Sequence, residues 1–163
     1  MEFLTSLLKP RSNFRPFEYD KAFAFQHAQS KHYWFHIQIE VDVDLAQYKT
    51  LFTEAERHGI NTVLKLFTTY EIHVANYWID VVYRLFPVPE IRMMAQTFAV
   101  IEAEHALFYD KLNNHLGLST KDFHLAFLEH PEMKQRVDFI EEIFSKCKIE
   151  GINSHQLKRL CEK

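Results

Sequence analysis

The chain has 163 residues, 47% of them hydrophobic, and a formal net charge of −3. These values exclude a disordered chain, which is poorer in hydrophobic residues, and a basic protein that binds nucleic acid or anionic membranes through its charge. Only three Gly and five Pro occur, which disfavours both a many-stranded protein with tight turns and a glycine-rich phosphate loop. We expect one mainly helical domain.

The first third of the chain carries weak helix signals. Residues 1–17 contain two prolines and are predicted to form an arm, which lacks the positively charged start of a secretory signal. A first helix is predicted from about Tyr19 to Tyr33. The acidic, alternating segment 34–48 is predicted to be extended or turn-rich. Because no run of about 18 apolar residues occurs, we expect a cytoplasmic protein with no membrane partner.

The strongest signals predict two long helices. Thr53 and Glu56 have the spacing of a capping box, and the helical pattern then continues to Leu85, over roughly 48 Å at about 1.5 Å per residue. Two nearby prolines end it. A second long helix is predicted from about Glu90 to Leu116, with a glycine directly after it as the C-terminal cap. Shorter helices are predicted at 120–129, at 132–147 after a break at Pro131, and weakly after Ser154.

Both long helices have an apolar seam that polar residues interrupt. Alternating steps of four and three residues from Ile60 reach Leu64, Phe67, Glu71, Val74, Trp78, Val81 and Leu85. The same steps from Ile91 reach Ala95, Phe98, Glu102, His105, Tyr109, Leu112 and Leu116. Trp78 is predicted to be a core residue. Because the connecting loop is short, the helices are expected to be antiparallel, and the polar groups can meet in one buried layer.

A metal ion is one explanation for these interruptions. Burying unpaired carboxylates costs several kcal/mol, and a cation offsets that cost. Glu102 and His105 lie one helical turn apart on one face, and Glu71 on the facing helix adds another oxygen ligand. The alternative is a set of structural polar groups that satisfy one another. Glu104 falls off the seam and is predicted to face solvent, although it is close enough to act as an outer group of the site.

At these positions the chain resembles the small, radical-generating subunit of class I ribonucleotide reductase. The resemblance runs from about Phe14 to Ile140 and includes 33-YWFHIQIEVDVDLAQYKTLFTEAE-56, 68-TTYEIHVANYW-78 and 101-IEAEHALFY-109. The separation of Glu71 from Glu102, 102 − 71 = 31 residues, is also that of the family. The resemblance implies an all-α, ferritin-like helical bundle.

The resemblance also implies roles for individual residues. Glu71, Glu102 and His105 would bind a dinuclear iron, manganese or iron–manganese centre, with Glu102 as the bridge. Tyr109 would carry the stable radical, and Trp34 would lie on the electron path to the surface. The alternatives from the residues themselves are a hydrogen-bonded core tyrosine and a tryptophan that serves as a packing anchor.

The resemblance stops at about half of the family's length. A second carboxylate helix, a second Glu-x-x-His and the C-terminal tail that docks on the large subunit do not occur in the sequence. We therefore divide the chain into an arm, 1–17, the N-terminal half of a small subunit, 18–146, and a divergent tail, 147–163. The two cysteines, at 147 and 161, are expected to be ordinary thiols.

Three interpretations follow for a half-length chain. It can be the N-terminal half of a split or interrupted gene, as occurs in phage genomes, whose companion chain brings the other ligands and joins the large subunit. It can instead be a homodimeric, ferritin-like di-metal oxidase or binding protein. It can also be a metal-free helical interaction module. The first is the function we predict: part of a ribonucleoside-diphosphate reductase, used in making deoxyribonucleotides for DNA replication and inactive as a fragment alone.

Overall fold

The computed structural model of the protein describes residues 7–148. The helix predicted after Ser154, the thiol groups of Cys147 and Cys161, and nearly all of the tail 147–163 lie outside the residues and side chains described. Among the residues described, helices and turns occur and no strand does, which confirms the all-α prediction.

The helices follow the predicted order. The α-helices are α1, Asp20–Lys31; α2, Asp42–Thr50; α3, Glu54–Asn76; α4, Pro89–Leu116; α5, Lys121–Leu125; and α6, Pro131–Lys148. Short 3-10 turns occupy His36–Gln38 and Ala126–Glu129. The α3 helix continues as a π-helix over Tyr77–Val82 and ends with a last α-turn, Tyr83–Leu85.

The predicted caps are present at both long helices. Before α3, the Thr53 hydroxyl accepts a hydrogen bond from the backbone N–H of Glu56 at 3.3 Å, and the Thr53 N–H donates to the Glu56 carboxylate at 2.8 Å. After α4, Gly117 has a φ of +73°, in the left-handed region that glycine adopts without strain. The N–H of Leu118 then donates to the carbonyl of Asn113 at 2.9 Å, which completes a Schellman motif.

Two predictions about secondary structure were wrong. The segment 34–48 was expected to be extended or turn-rich, yet its second half is the start of α2. Asp42 and Asp44 lie in the first turn of α2, where acidic side chains are stabilised by the helix dipole. The first long helix was expected to be unbroken to Leu85, and it contains six residues of π-helix instead.

The described chain forms two compact units. The first contains the described parts of 1–33, 75–100 and 141–163, and the second contains 34–74 and 101–140. In the first unit, Ala22, Val82, Val88, Ile91 and Ala95 form a buried cluster, against which Trp78 packs. The prediction of Trp78 as a core residue is confirmed.

A buried ion pair ties the arm to α4 in the first unit. The side chain of Glu90, in the first turn of α4, is fully buried and pairs with the guanidinium of Arg11. It also accepts hydrogen bonds from the backbone N–H groups of Glu18, at 2.9 Å, and Tyr19, at 3.0 Å. Burial opposes ionisation of Glu90, but these hydrogen bonds outweigh it and lower its pKa.

The second unit contains the antiparallel pairing of α3 and α4 that the sequence predicted. The ring of Phe67 contacts that of Tyr109, with centroids 5.8 Å apart, and the Nδ2 atom of Asn113 donates to the Thr68 hydroxyl at 3.1 Å. Compared with the Phe67–Tyr109 contact, the contact of Glu71 with His105, at 3.5 Å, lies four residues later on α3 and four residues earlier on α4, so the two helices run antiparallel. This pairing brings the middle of α3 beside the middle of α4, where the polar seam residues lie.

None of the described helices is both long enough and apolar enough to cross a bilayer.

Candidate metal centre

Three ionisable side chains of the two polar seams come together in the second unit. Glu71 projects from α3, and Glu102 and His105 project from α4. Each offers one ligand atom, and these atoms all lie within 4.8 Å of one another. Among the described residues, this is the group of Asp, Glu, Cys and His side chains close enough to share a metal ion.

The imidazole of His105 lies between the two carboxylates. Its Nδ1 atom is 3.0 Å from Glu102 and 3.5 Å from Glu71. The spacing of three residues along α4 places Glu102 and His105 on the same face, one turn apart. The side chains of Glu71, Glu102 and His105 are 16%, 15% and 34% exposed. The predicted layer is therefore formed, but the described chain leaves it partly open.

The carboxylates of Glu71 and Glu102 are close enough for their negative charges to repel each other. Burial raises the pKa of Glu71 to about 7, and the hydrogen bond and negative charge of Glu102 add to this effect, while His105 opposes it. Like charges at short distance favour keeping a proton on one carboxylate. A cation between them would relieve the same repulsion.

Tyr109 lies one helical turn beyond His105 on α4. Its ring contacts Phe67, and the ring of Phe108 is 6.0 Å away between centroids. Burial raises the pKa of the Tyr109 phenol, and the negative charge of Glu71 raises it further. Tyr109 is therefore a protonated phenol in a largely aromatic environment, electrostatically linked to the carboxylate site.

Trp34 packs directly on the site histidine. The Trp34 and His105 rings are stacked, with centroids 5.6 Å apart and an angle of 28° between their planes. The rings of Trp34 and Phe108 are nearly perpendicular, at 88°, with centroids 5.9 Å apart. The site residues predicted from the sequence, at 34, 71, 102, 105 and 109, are thus neighbours in one unit of the structure.

Glu104 does not face solvent, contrary to the prediction. Its side chain is 14% exposed. It accepts hydrogen bonds from the backbone N–H of His36 at 3.0 Å and lies 2.9 Å from the Nδ1 atom of the same residue. His36 was not singled out from the sequence. The prediction considered only the two facing helices, whereas a third segment, around the turn His36–Gln38, covers this side of α4.

The donor set suits a hard or borderline divalent cation. Two carboxylates and one imidazole are typical ligands of iron and manganese, and Glu-x-x-His on one helix with a Glu from its neighbour is the half-site pattern of di-metal carboxylate bundles. The raised pKa of Glu71 fits the same interpretation, because it reports negative charge that the protein itself leaves poorly compensated.

An all-α chain that brings two carboxylates and an imidazole together from two long helices falls in the class of helical bundle proteins with a polar cluster in the core. The sequence profile of the family described as "Ribonucleotide reductase, small chain" matches residues 11–161. The chain belongs to the ribonucleotide reductase small-chain family, and its fold is the ferritin-like, all-α fold of that family. The match includes most of the segment 147–163.

Two viral proteins show the same relationship. The chain is 27% identical over 137 residues to a "Probable ribonucleoside-diphosphate reductase small subunit" of Invertebrate iridescent virus 6, covering 84% of this chain and 38% of the viral protein. It is 30% identical over 138 residues to a protein of the same description from Invertebrate iridescent virus 3, covering 82% of this chain and 35% of that protein. The chain thus spans less than two-fifths of the length of these relatives.

Proposed function

We propose that the chain is the N-terminal part of a class I ribonucleoside-diphosphate reductase small subunit and contributes half of a dinuclear metal site. The observation that carries this proposal is the convergence of Glu71, Glu102 and His105 within 4.8 Å in a chain of the small-chain family. Iron, manganese or one of each would be held there by Glu71, Glu102 and His105.

The partial exposure of the site supports a missing partner. A complete buried site would shield its ligands on all sides, whereas the side chain of His105 is 34% exposed. Apolar side chains of the same unit, Val63, Phe67, Ile72 and Leu107, are also 40–50% exposed. A companion polypeptide with the second carboxylate and the second Glu-x-x-His would cover such groups, and the greater length of the viral relatives favours a companion over a second copy of this chain.

Tyr109 is proposed to be the residue oxidised to a stable radical. The metals, when bound and treated with oxygen, supply the oxidising equivalent. The chain contributes a phenol that stays protonated until it is oxidised, because burial and Glu71 raise its pKa. Phe67 and Phe108 contact its ring and limit access of solvent and reductants.

Trp34 is proposed to connect the site with the protein surface. Its stacking on His105 gives direct contact between an oxidisable indole and a proposed metal ligand. The completed small subunit would then act with a large subunit that holds the substrate and its redox cysteines, and together they would reduce ribonucleotides to deoxyribonucleotides. This chain alone is expected to be inactive.

Metal loading with and without a companion chain tests the proposal. The chain is mixed with a polypeptide corresponding to the portion of the viral relatives that it does not span, and loaded anaerobically with Fe²⁺ or Mn²⁺. We expect dinuclear loading of the mixture, and its loss in Glu102→Ala but not in Asp110→Ala, an exposed carboxylate on the same helix. If neither sample takes up metal and Glu102→Ala changes nothing, the metal site is refuted and a metal-free interaction module is favoured.

Electron paramagnetic resonance after exposure to oxygen tests the radical. We expect a tyrosyl signal that disappears in Tyr109→Phe and persists in Tyr83→Phe, a matched change in the first unit. A signal that survives Tyr109→Phe would remove Tyr109 from this role. Full loading of the chain alone, together with dimerisation, would instead support the homodimeric di-metal protein.

A further inference from the structure

We propose that Glu104 is a positioning residue that holds Trp34 against His105. The proposal concerns a contact within the second unit, and its meaning for electron transfer rests on the proposed function. Glu104 has no ligand role in that function, and its carboxylate is hydrogen-bonded to the segment that follows Trp34.

Glu104 attaches His36 to α4. A single oxygen of Glu104, Oε2, accepts the backbone N–H of His36 at 3.0 Å and lies 2.9 Å from the His36 Nδ1 atom. The two side chains are 14% and 25% exposed. Hydrogen bonds to a charged acceptor in a half-buried position are stronger than those between neutral groups. His36 is therefore fixed at two points by one carboxylate.

Lys111 attaches the rest of the turn to α4. Lys111, two helical turns after Glu104 on α4, donates from its ammonium group to the carbonyl of His36 at 3.2 Å and to that of Ile39 at 2.5 Å. Positions 104 and 111 lie on one side of the helix because they are seven residues apart. The 3-10 turn His36–Gln38 is thereby held along α4 by the Glu104 carboxylate, at His36, and by the Lys111 ammonium group, at His36 and Ile39.

The attached turn fixes the position of Trp34. Trp34 precedes His36 by two residues, so the position of its backbone is set by the turn. The indole then contacts His105 and Phe108, which adjoin Glu104 on the same helix. Stacking alone is worth little, and an indole with an untethered backbone could leave this surface. Glu104 therefore determines how much of the time Trp34 lies on the site histidine.

Fluorescence of Trp34 in the metal-free chain tests this inference. A Trp78→Phe background leaves Trp34 as the one tryptophan, since the chain contains two. In this background we expect Glu104→Ala to lower the ratio of docked to undocked indole about tenfold or more, because hydrogen bonds to a charged acceptor are lost. The emission should shift to the red, and quenching by acrylamide should increase.

The proton spectrum provides a readout that a general loss of stability would not reproduce. The stacked indole should displace the resonances of the His105 ring through its ring current. We expect this displacement to disappear in Trp34→Leu, which removes the aromatic ring, and to shrink strongly in Glu104→Ala. Asp110→Ala is the matched control, because it removes an exposed carboxylate from the same helix, which accepts a hydrogen bond within α4 from Asn114 at 3.1 Å.

Two milder variants keep the test decisive if Glu104→Ala fails to fold. Glu104→Gln retains an oxygen that can accept the His36 N–H, and His36→Ala retains that N–H while losing the ring, so both should give intermediate quenching. Unchanged Trp34 emission, quenching and His105 shifts in all folded Glu104 variants would overturn the inference. Because these readouts need no metal, such a failure would leave the metal-loading test of the proposed function unaffected.

Discussion

Protonation of Glu71 should control metal binding near neutral pH. With a pKa of about 7, its carboxyl is protonated in about 90% of metal-free molecules at pH 6 and in about 10% at pH 8. A metal ion binds the deprotonated form, so the proton must leave first. The apparent affinity should therefore fall about tenfold, or about 1.4 kcal/mol, between pH 8 and pH 6 because of Glu71 alone.

Metal binding is expected to strengthen as the pH rises because the pKa of Glu71 is raised, not lowered. A carboxyl at its ordinary value of 4.5 would be ionised at both pH values and would give almost no dependence. Burial and the neighbouring Glu102 move the titration of Glu71 into the measured range. Raising the pH then removes the competing proton and strengthens binding, whereas lowering it weakens binding.

Titration with Co²⁺ measures this dependence. Cobalt is stable to oxidation under these conditions and reports coordination by its visible absorption. Dissociation constants at pH 6, 7 and 8 are compared between the wild type and Glu71→Gln, which cannot be protonated at this position. We expect the wild type to lose about tenfold more affinity than the variant between pH 8 and pH 6. Parallel pH profiles would refute either the protonation of Glu71 or its role as a ligand.

Two further predictions concern stability. Glu90→Gln should lower the free energy of unfolding by about 3 kcal/mol in urea, because it removes the buried counter-charge of Arg11 and leaves only the half-exposed carboxylate of Glu18, at 3.6 Å. The exposed first-turn Glu132→Gln should change it little, and equal effects would contradict the buried pair. Gly117→Ala should destabilise by about 1 kcal/mol because its φ is +73°, whereas Gly59→Ala, within α3 and with open space around the added Cβ, should stabilise by about 0.5–1 kcal/mol. Thermal unfolding that shows the same sign for both glycines would refute this.

The sequence was sufficient to predict the two long helices and the central cluster. Both follow from the helical periodicity. Residues at alternating steps of three and four form the buried face of a helix, so a polar residue at one of these steps is also predicted to be buried. Glu71, Glu102 and His105 were predicted together because the loop between the helices is short. Their contact therefore needed no knowledge of other elements.

The missed features depend on interactions that no single helix reveals. The alternation of Val41, Asp42, Val43 and Asp44 resembles a strand, but no neighbouring strand is present among the described residues to pair with it. A helix satisfies its own backbone hydrogen bonds and places the acids in its first turn. The contact of Glu104 likewise depends on a segment distant in sequence, which the seam rule does not consider.

The π-helical segment Tyr77–Val82 is a place where the first long helix can gain or lose a residue while the part before it keeps its register. A π-turn accommodates one more residue than an α-turn, so side chains beyond it are rotated by about 100° relative to a continuous α-helix. Glu71 comes before this offset, and its orientation is set by the register that starts at the cap Thr53. Insertions or deletions near the end of the helix can thus be absorbed at Tyr77–Val82 without turning the Glu71 carboxylate away from His105.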